Sequence, residues 1–117
     1  MPRDGLGEFE QIVMLAIVHI NHLGDDVYGV PIVDEIERRT GREVSRAAVY
    51  ITLRRLEEKG LVTSWMSDPT SERGGRSRRC VEVTPLGRRA LKEARTALDL
   101  MWRGANPKLK QKPEGSR

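Results

Sequence analysis

Apolar positions near the start of the chain recur with helical spacing. Phe9, Ile12, Val13, Leu15, Ala16, Ile17 and Ile20 fall between Leu6 and His22, and Gly24 follows as a stop. The middle of this stretch is apolar almost all round, which predicts a helix buried on two sides, more cover than one small domain usually provides. A second stretch, Tyr28 to Thr40, puts Ile32, Val33 and Ile36 on one stripe, carries Pro31 in its first turn and ends at Gly41. The third opens on Ser45 as N-cap, runs to Lys59 and stops at Gly60. Only Gly41, Arg42, Glu43 and Val44 separate the second helix from the third. That is helix-turn-helix spacing.

After Gly60 the period changes. Leu61 to Ser67 and Arg79 to Val83 alternate and predict two short strands. Asp68 to Ser77 lies between them, rich in turn and charged residues around Gly74-Gly75, so a hairpin with a basic tip is expected. Thr84 and Pro85 supply an N-cap and a first-turn proline for a fourth helix, ending near Arg103. Leu86, Ala90, Leu91, Ala94, Ala97, Leu98, Met101 and Trp102 recur along it in steps of three and four. The expected fold is mainly α with a small β-hairpin (α+β). A winged helix-turn-helix would occupy residues 1–84, with an additional C-terminal dimerisation helix over 85–103 and a disordered basic tail over 104–117.

Composition narrows the function. The chain has 117 residues, 38% hydrophobic and 32% charged, enough for one domain with a modest core. Its longest apolar run, Ile12 to Val18, falls far short of the roughly 20 residues a membrane span needs. No secretory signal is legible at the N-terminus, and a lone Cys80 allows no internal disulfide, so a reducing cytoplasmic setting is expected. Charge is split: residues 1–37 hold one arginine against eight carboxylates, whereas residues 38–117 hold 20 basic and nine acidic groups. A basic face of that kind concentrates near a polyanion.

The third helix carries the chemistry. At about 100° per residue, Val49, Leu53 and Leu56 share one narrow stripe and must face the core. Ala47, Ile51, Arg54 and Arg55 fall opposite, with Ala48 and Tyr50 at the flanks and Ser45 and Arg46 at the start. Small residues near the N-terminus let a helix approach a major groove, arginine bonds guanine edges or phosphates, and a branched apolar side chain suits a thymine methyl. The alternative is that Ile51 packs under a loop and the arginines pair with Glu57 and Glu58. The hairpin adds Arg73, Arg76, Arg78 and Arg79, placed to follow a phosphate backbone or a minor groove.

The fourth helix and the first each carry more apolar surface than one chain covers. Packing between two subunits would bury both, with Phe9, Val13, Ile17, Ala90, Ala94, Ala97, Leu98, Met101 and Trp102 at the interface. His19 and His22, near Asp25 and Asp26, supply only part of a metal-ligand set, and Cys80 lacks the partners of a nucleophile. No phosphate loop, carboxylate pair or triad spacing is present, so neither an enzyme nor a cofactor is expected. Two other readings compete: a winged-helix adaptor for protein partners, and a metal- or redox-responsive sensor.

From Ser45 to Val62, SRAAVYITLRRLEEKGLV resembles the PadR family of bacterial winged-helix regulators, and Tyr28-Gly29 is similar to that family's opening of helix two. Gly74 to Leu91, GGRSRRCVEVTPLGRRAL, is similar to its wing strand and the start of its C-terminal helix. The resemblance covers roughly residues 6–103. It implies a homodimer held by the first and fourth helices, repression through an inverted-repeat operator on double-stranded DNA, and phosphate contacts from Tyr28, Tyr50 and the wing arginines. Cys80 and Val81 stand where family members often carry aromatics. The C-terminal part is short, as in the compact subgroup, so a small-molecule effector would have to bind at the dimer interface.

Overall fold

The computed structural model describes residues 5–22, 28–67 and 79–105. Among them the chain runs α1 (Glu8–His22), α2 (Val30–Thr40), α3 (Arg46–Glu58), β1 (Val62–Met66), β2 (Arg79–Val83) and α4 (Pro85–Trp102). The strands pair antiparallel, Val62 opposite Val83 and Met66 opposite Arg79. This is the α+β winged-helix arrangement that the sequence predicts. Gly24, Asp25 and Asp26, the hairpin tip with Arg73, Arg76 and Arg78, and the tail from residue 106 lie outside the described residues.

Capping chemistry sets the element ends. The Gly7 N–H donates to Glu10 Oε1 at 3.0 Å and the Gly7 carbonyl accepts from Gln11 N, so α1 starts two residues later than its apolar pattern suggests. Burial raises the Glu10 pKa, but the Lys59 ammonium and the Gly7 N–H outweigh it and leave the carboxyl below its usual range. The start of α2 is Val30 rather than Tyr28, because Gly29 turns the chain first at φ +65°. At the far end of α3, Gly60 N donates to the Glu57 carbonyl and Leu61 N to the Leu56 carbonyl, the paired bonds of a Schellman stop.

The core is one cluster: Val13, Met14 and Ile17 from α1, Ile32 and Ile36 from α2, Val49, Leu53 and Leu56 from α3, and Val62, Val81 and Val83 from the hairpin. Because α1 packs against α2, α3 and β2, most of its two-sided burial comes from its own chain. This corrects one expectation. Val13 and Ile17 are both 0% exposed within the protomer and have no surface left for a second subunit. Leu15 is the residue α1 leaves out, at 46% exposure.

One buried carboxylate interrupts the apolar stripe of α2. Glu35 accepts from Arg39 Nε and, at 2.7 Å, from Arg38 Nη2, and these two bonds hold its carboxyl below the ordinary value of 4.5. A depressed carboxylate pKa contributes stability above the unfolded value and loses it as pH falls through the folded one. Glu35→Gln should therefore lower the thermal midpoint at neutral pH, and the gap should shrink once the pH drops below about 4.5. A gap independent of pH would place the effect in packing instead.

Thr84 joins the wing to α4. Its Oγ1 caps the helix by accepting from Gly87 N at 3.0 Å and donates to the Gly60 carbonyl at 2.8 Å, while Thr84 N donates to the Leu61 carbonyl. Beyond that anchor α4 leaves the body. Gly87 is its one buried residue, and Leu98, Met101 and Trp102 are all more than half exposed. No helix among the described residues is long and apolar enough to cross a membrane.

Candidate nucleic-acid interface

Local sequence fixes the orientation of α3. Ser45 sits in extended backbone and its Oγ accepts from Ala48 N at 3.0 Å, starting the helix where the pattern predicts. Val49, Leu53 and Leu56 then point into the core, joined by Thr52, which sequence periodicity did not single out. Arg46, Ala47, Tyr50, Ile51, Arg54 and Arg55 all lie exposed on the other side, with Ala48 half-buried. Ile51 is 51% exposed, so no described segment packs over it. Arg54 and Arg55 form no ion pair among the described residues, and Glu57 accepts instead from Ser64 Oγ at 2.7 Å. An apolar side chain and three cations therefore face outward together.

A small aromatic cluster flanks this face. The rings of Tyr28 and Tyr50 lie 5.6 Å apart, tilted by 34°. The Arg79 guanidinium stands 5.1 Å above Tyr28. Gly29 makes the approach feasible: an added Cβ there would overlap the Tyr50 hydroxyl and come within 2.8 Å of Cζ. Its left-handed backbone would also strain any other residue. Tyr28 thus reaches Tyr50 on α3 from a turn, not from the first turn of α2. The sequence places Arg79 with the other wing arginines on a phosphate backbone or minor groove, and does not foresee its contact with Tyr28. The alternation of β2 does give its side of the strand, because Arg79 shares a strand face with Val81 and Val83.

The second surface runs along α4. Phe9, Ala90 and Leu91 pack partly against the core, whereas Ala97, Leu98, Met101 and Trp102 stay exposed. A groove of about 480 Å³ between α1 and α4 is lined by Leu15, Leu91, Leu98 and Trp102. A larger one, about 660 Å³, is lined by Leu6, Leu61, Leu86, Ala90, Ala94 and Ala97. His19 borders a separate shallow groove between α1 and α2, His22 is exposed, and Cys80 is buried on β2. Among the described residues no three His, Cys, Asp or Glu side chains come together as a metal site.

Comparison with known proteins decides the family. The sequence model of the PadR-like transcriptional regulator family matches residues 17–93, from α1 into α4. The chain belongs to the PadR family. A relative at 40% identity is the transcriptional regulator Rv3488 of Mycobacterium tuberculosis, aligned over 82% of this chain and 85% of its own. Among solved structures, the fold is similar to a PadR-like transcriptional regulator from Bacillus cereus, with a TM-score of 0.69 at 18% identity over 89% of this chain and 93% of that one. A PadR family regulator from Clostridium difficile matches with a TM-score of 0.65 at 24% identity, over 86% and 98% of the two chains. PadR proteins are DNA-binding transcriptional regulators rather than enzymes, and this chain has their winged-helix fold.

Proposed function

We propose that this PadR protein is a cytoplasmic repressor that binds an inverted-repeat operator in double-stranded DNA as a homodimer. The observation that carries the reading is the outward face of α3: Arg46, Ala47, Tyr50, Ile51, Arg54 and Arg55 exposed together on the second helix of a tight pair. Each subunit would place that face in a major groove, with half-sites one helical turn or a multiple of it apart. Ala47 and Ala48 allow close approach, Arg54 and Arg55 read base edges or phosphates, and Ile51 meets a thymine methyl. Ser45, Tyr28 and Tyr50 would hold phosphates, with Arg73, Arg76 and Arg78 extending the backbone contacts. Residues 1–84 would form the DNA-binding unit and 85–103 the dimerisation helix, the exposed seam of α4 supporting that division. A small effector, where one acts, would enter at the subunit interface. An adaptor for proteins would need an apolar α3 face, and there Ile51 stands among arginines.

Selection of duplexes from a random pool at several salt concentrations tests the reading, since it reports half-site spacing and phosphate contacts together. Against the selected duplex, Arg54→Ala and Arg55→Ala should each weaken binding by about 1–3 kcal/mol where a bidentate base contact is lost, and relax the preference at that base. Parental affinity in both variants would remove α3 from the contact surface.

A further inference from the structure

Five side chains form a closed circuit that begins and ends on α3. Tyr50 lies against Tyr28, and Arg79 stands over the Tyr28 ring. Arg79 Nη2 donates to Ser64 Oγ at 3.2 Å, and Ser64 Oγ donates to Glu57 Oε2 at 2.7 Å. Tyr50 and Glu57 are roughly two helical turns apart. The circuit therefore grips α3 at two levels and passes through both strands of the wing.

Its position in the hairpin gives it a task. The near end of the wing is held by the core through Val62, Val81 and Val83, all buried. Toward the far end only Cys80 is buried, whereas Trp65 and Met66 are 46% and 55% exposed, and Arg79 pairs with Met66 at the last rung. Arg79 and Ser64 tie that outer half to the helix-turn-helix by side-chain contacts with Tyr28 and Glu57. The Arg79 guanidinium is already engaged, on its face by Tyr28 and at Nη2 by Ser64. We infer that Arg79 is a positioning residue for DNA recognition: it sets the angle of the wing against α3, so that both meet the same half-site. This rests on the DNA-binding reading above. Arg79 would contribute to discrimination between sequences more than to bulk attraction for phosphate.

A double-mutant cycle on the full-length protein tests it, with the selected duplex and an unrelated duplex as probes. Arg79→Gln should weaken the selected duplex about tenfold and the unrelated one less than about twofold, because specific binding alone needs wing and helix in register. Tyr28→Leu removes the ring beneath the guanidinium. Combined with Arg79→Gln it should cost little more than the worse single change, whereas Tyr28→Phe keeps the ring and should multiply with Arg79→Gln. Ser64→Ala breaks the circuit without removing a charge and should also lose the selected duplex preferentially, which keeps the test valid should Tyr28→Leu unfold. Equal loss on both duplexes in Arg79→Gln, with the salt slope falling by about one, would make Arg79 a plain phosphate contact and overturn the inference. Multiplicative losses for Arg79→Gln with Tyr28→Leu would overturn it too. A parent protein that selects no duplex would instead overturn DNA binding itself, and is seen before any variant is made.

Discussion

Gly87→Ala should lower the thermal midpoint by roughly 10 °C or more at fixed protein concentration, although alanine is the better helix former. Two effects oppose each other. Replacing glycine inside a helix gains up to about 1 kcal/mol from propensity. Against that, a Cβ at position 87 would overlap the Leu61 carbonyl oxygen and reach 2.7 Å from Val83 Cγ1 and 3.0 Å from Met14 Cε. The methionine tip can turn away; the carbonyl cannot. It is backbone at the junction of α3 and β1, and it already accepts from Thr84 N at 3.0 Å. Relief requires α4 to lift from the hairpin, stretching that bond and the Thr84 cap. Overpacking costs about 1–3 kcal/mol and sometimes more; against unyielding backbone the upper end of about 3 kcal/mol applies, and the clash wins by about 2 kcal/mol. Each kcal/mol is worth roughly 4–8 °C in a domain of this size. A thermal melt followed by circular dichroism decides the matter, and a midpoint raised by the substitution would show that the helix start yields freely.

The same junction shows which parts of the fold were legible in the sequence. Period and punctuation located every described element, because Ser45, Thr84, Pro85, Gly41 and Gly60 act through local backbone chemistry that a linear reading can follow. The opposition of Val49, Leu53 and Leu56 to Ile51, Arg54 and Arg55 was legible for the same reason: it depends only on helical geometry. What a linear reading could not follow was contact between distant segments. Val13 and Ile17 have the periodicity of interface residues, but whether the hairpin or a second subunit covers them depends on where β2 packs. Leu15 belongs to the same apolar set of the first helix, and its exposure follows from the same placement. Gly29 and Gly87 both read as glycines within a helix; their close neighbours, Tyr50 and Leu61, come from other elements. In the sequence Arg79 is one more charge in a basic wing, because its ring partner Tyr28 and its hydroxyl partner Ser64 lie in two other segments.

The helix-turn-helix is also tied to α1 by ions at its acidic start. Glu8 meets Arg42 in the turn between α2 and α3 at 3.2 Å, and Glu10 meets Lys59 at the end of α3 at 2.9 Å. The first pair is largely exposed and contributes little on its own. Their placement matters more than their energy. They connect both ends of α3 to the helix that borders the α4 seam, so acidic residues near the start of the chain serve as counter-charge at those ends, while Arg54 and Arg55 form no ion pair among the described residues.

Leu98→Asp should convert the proposed dimer to monomers and abolish tight operator binding while the protomer stays folded. Leu98 is 53% exposed and lies in the groove formed with Leu15, Leu91 and Trp102. In an isolated protomer a carboxylate there remains in water, so the helical signal should persist. In a dimer the same position is covered, and an unpaired carboxylate removed from water costs several kcal/mol. A penalty of about 3 kcal/mol weakens self-association more than a hundredfold. Operator affinity should fall at least as steeply, because two half-sites bound by one dimer gain from an effective concentration that separate subunits lack. Sedimentation distinguishes a 13.3 kDa protomer from a species of twice that mass. Should the parent protein sediment at the protomer mass at micromolar concentration, or Leu98→Asp at twice it, the α4 seam is not the subunit interface and its apolar face requires another occupant.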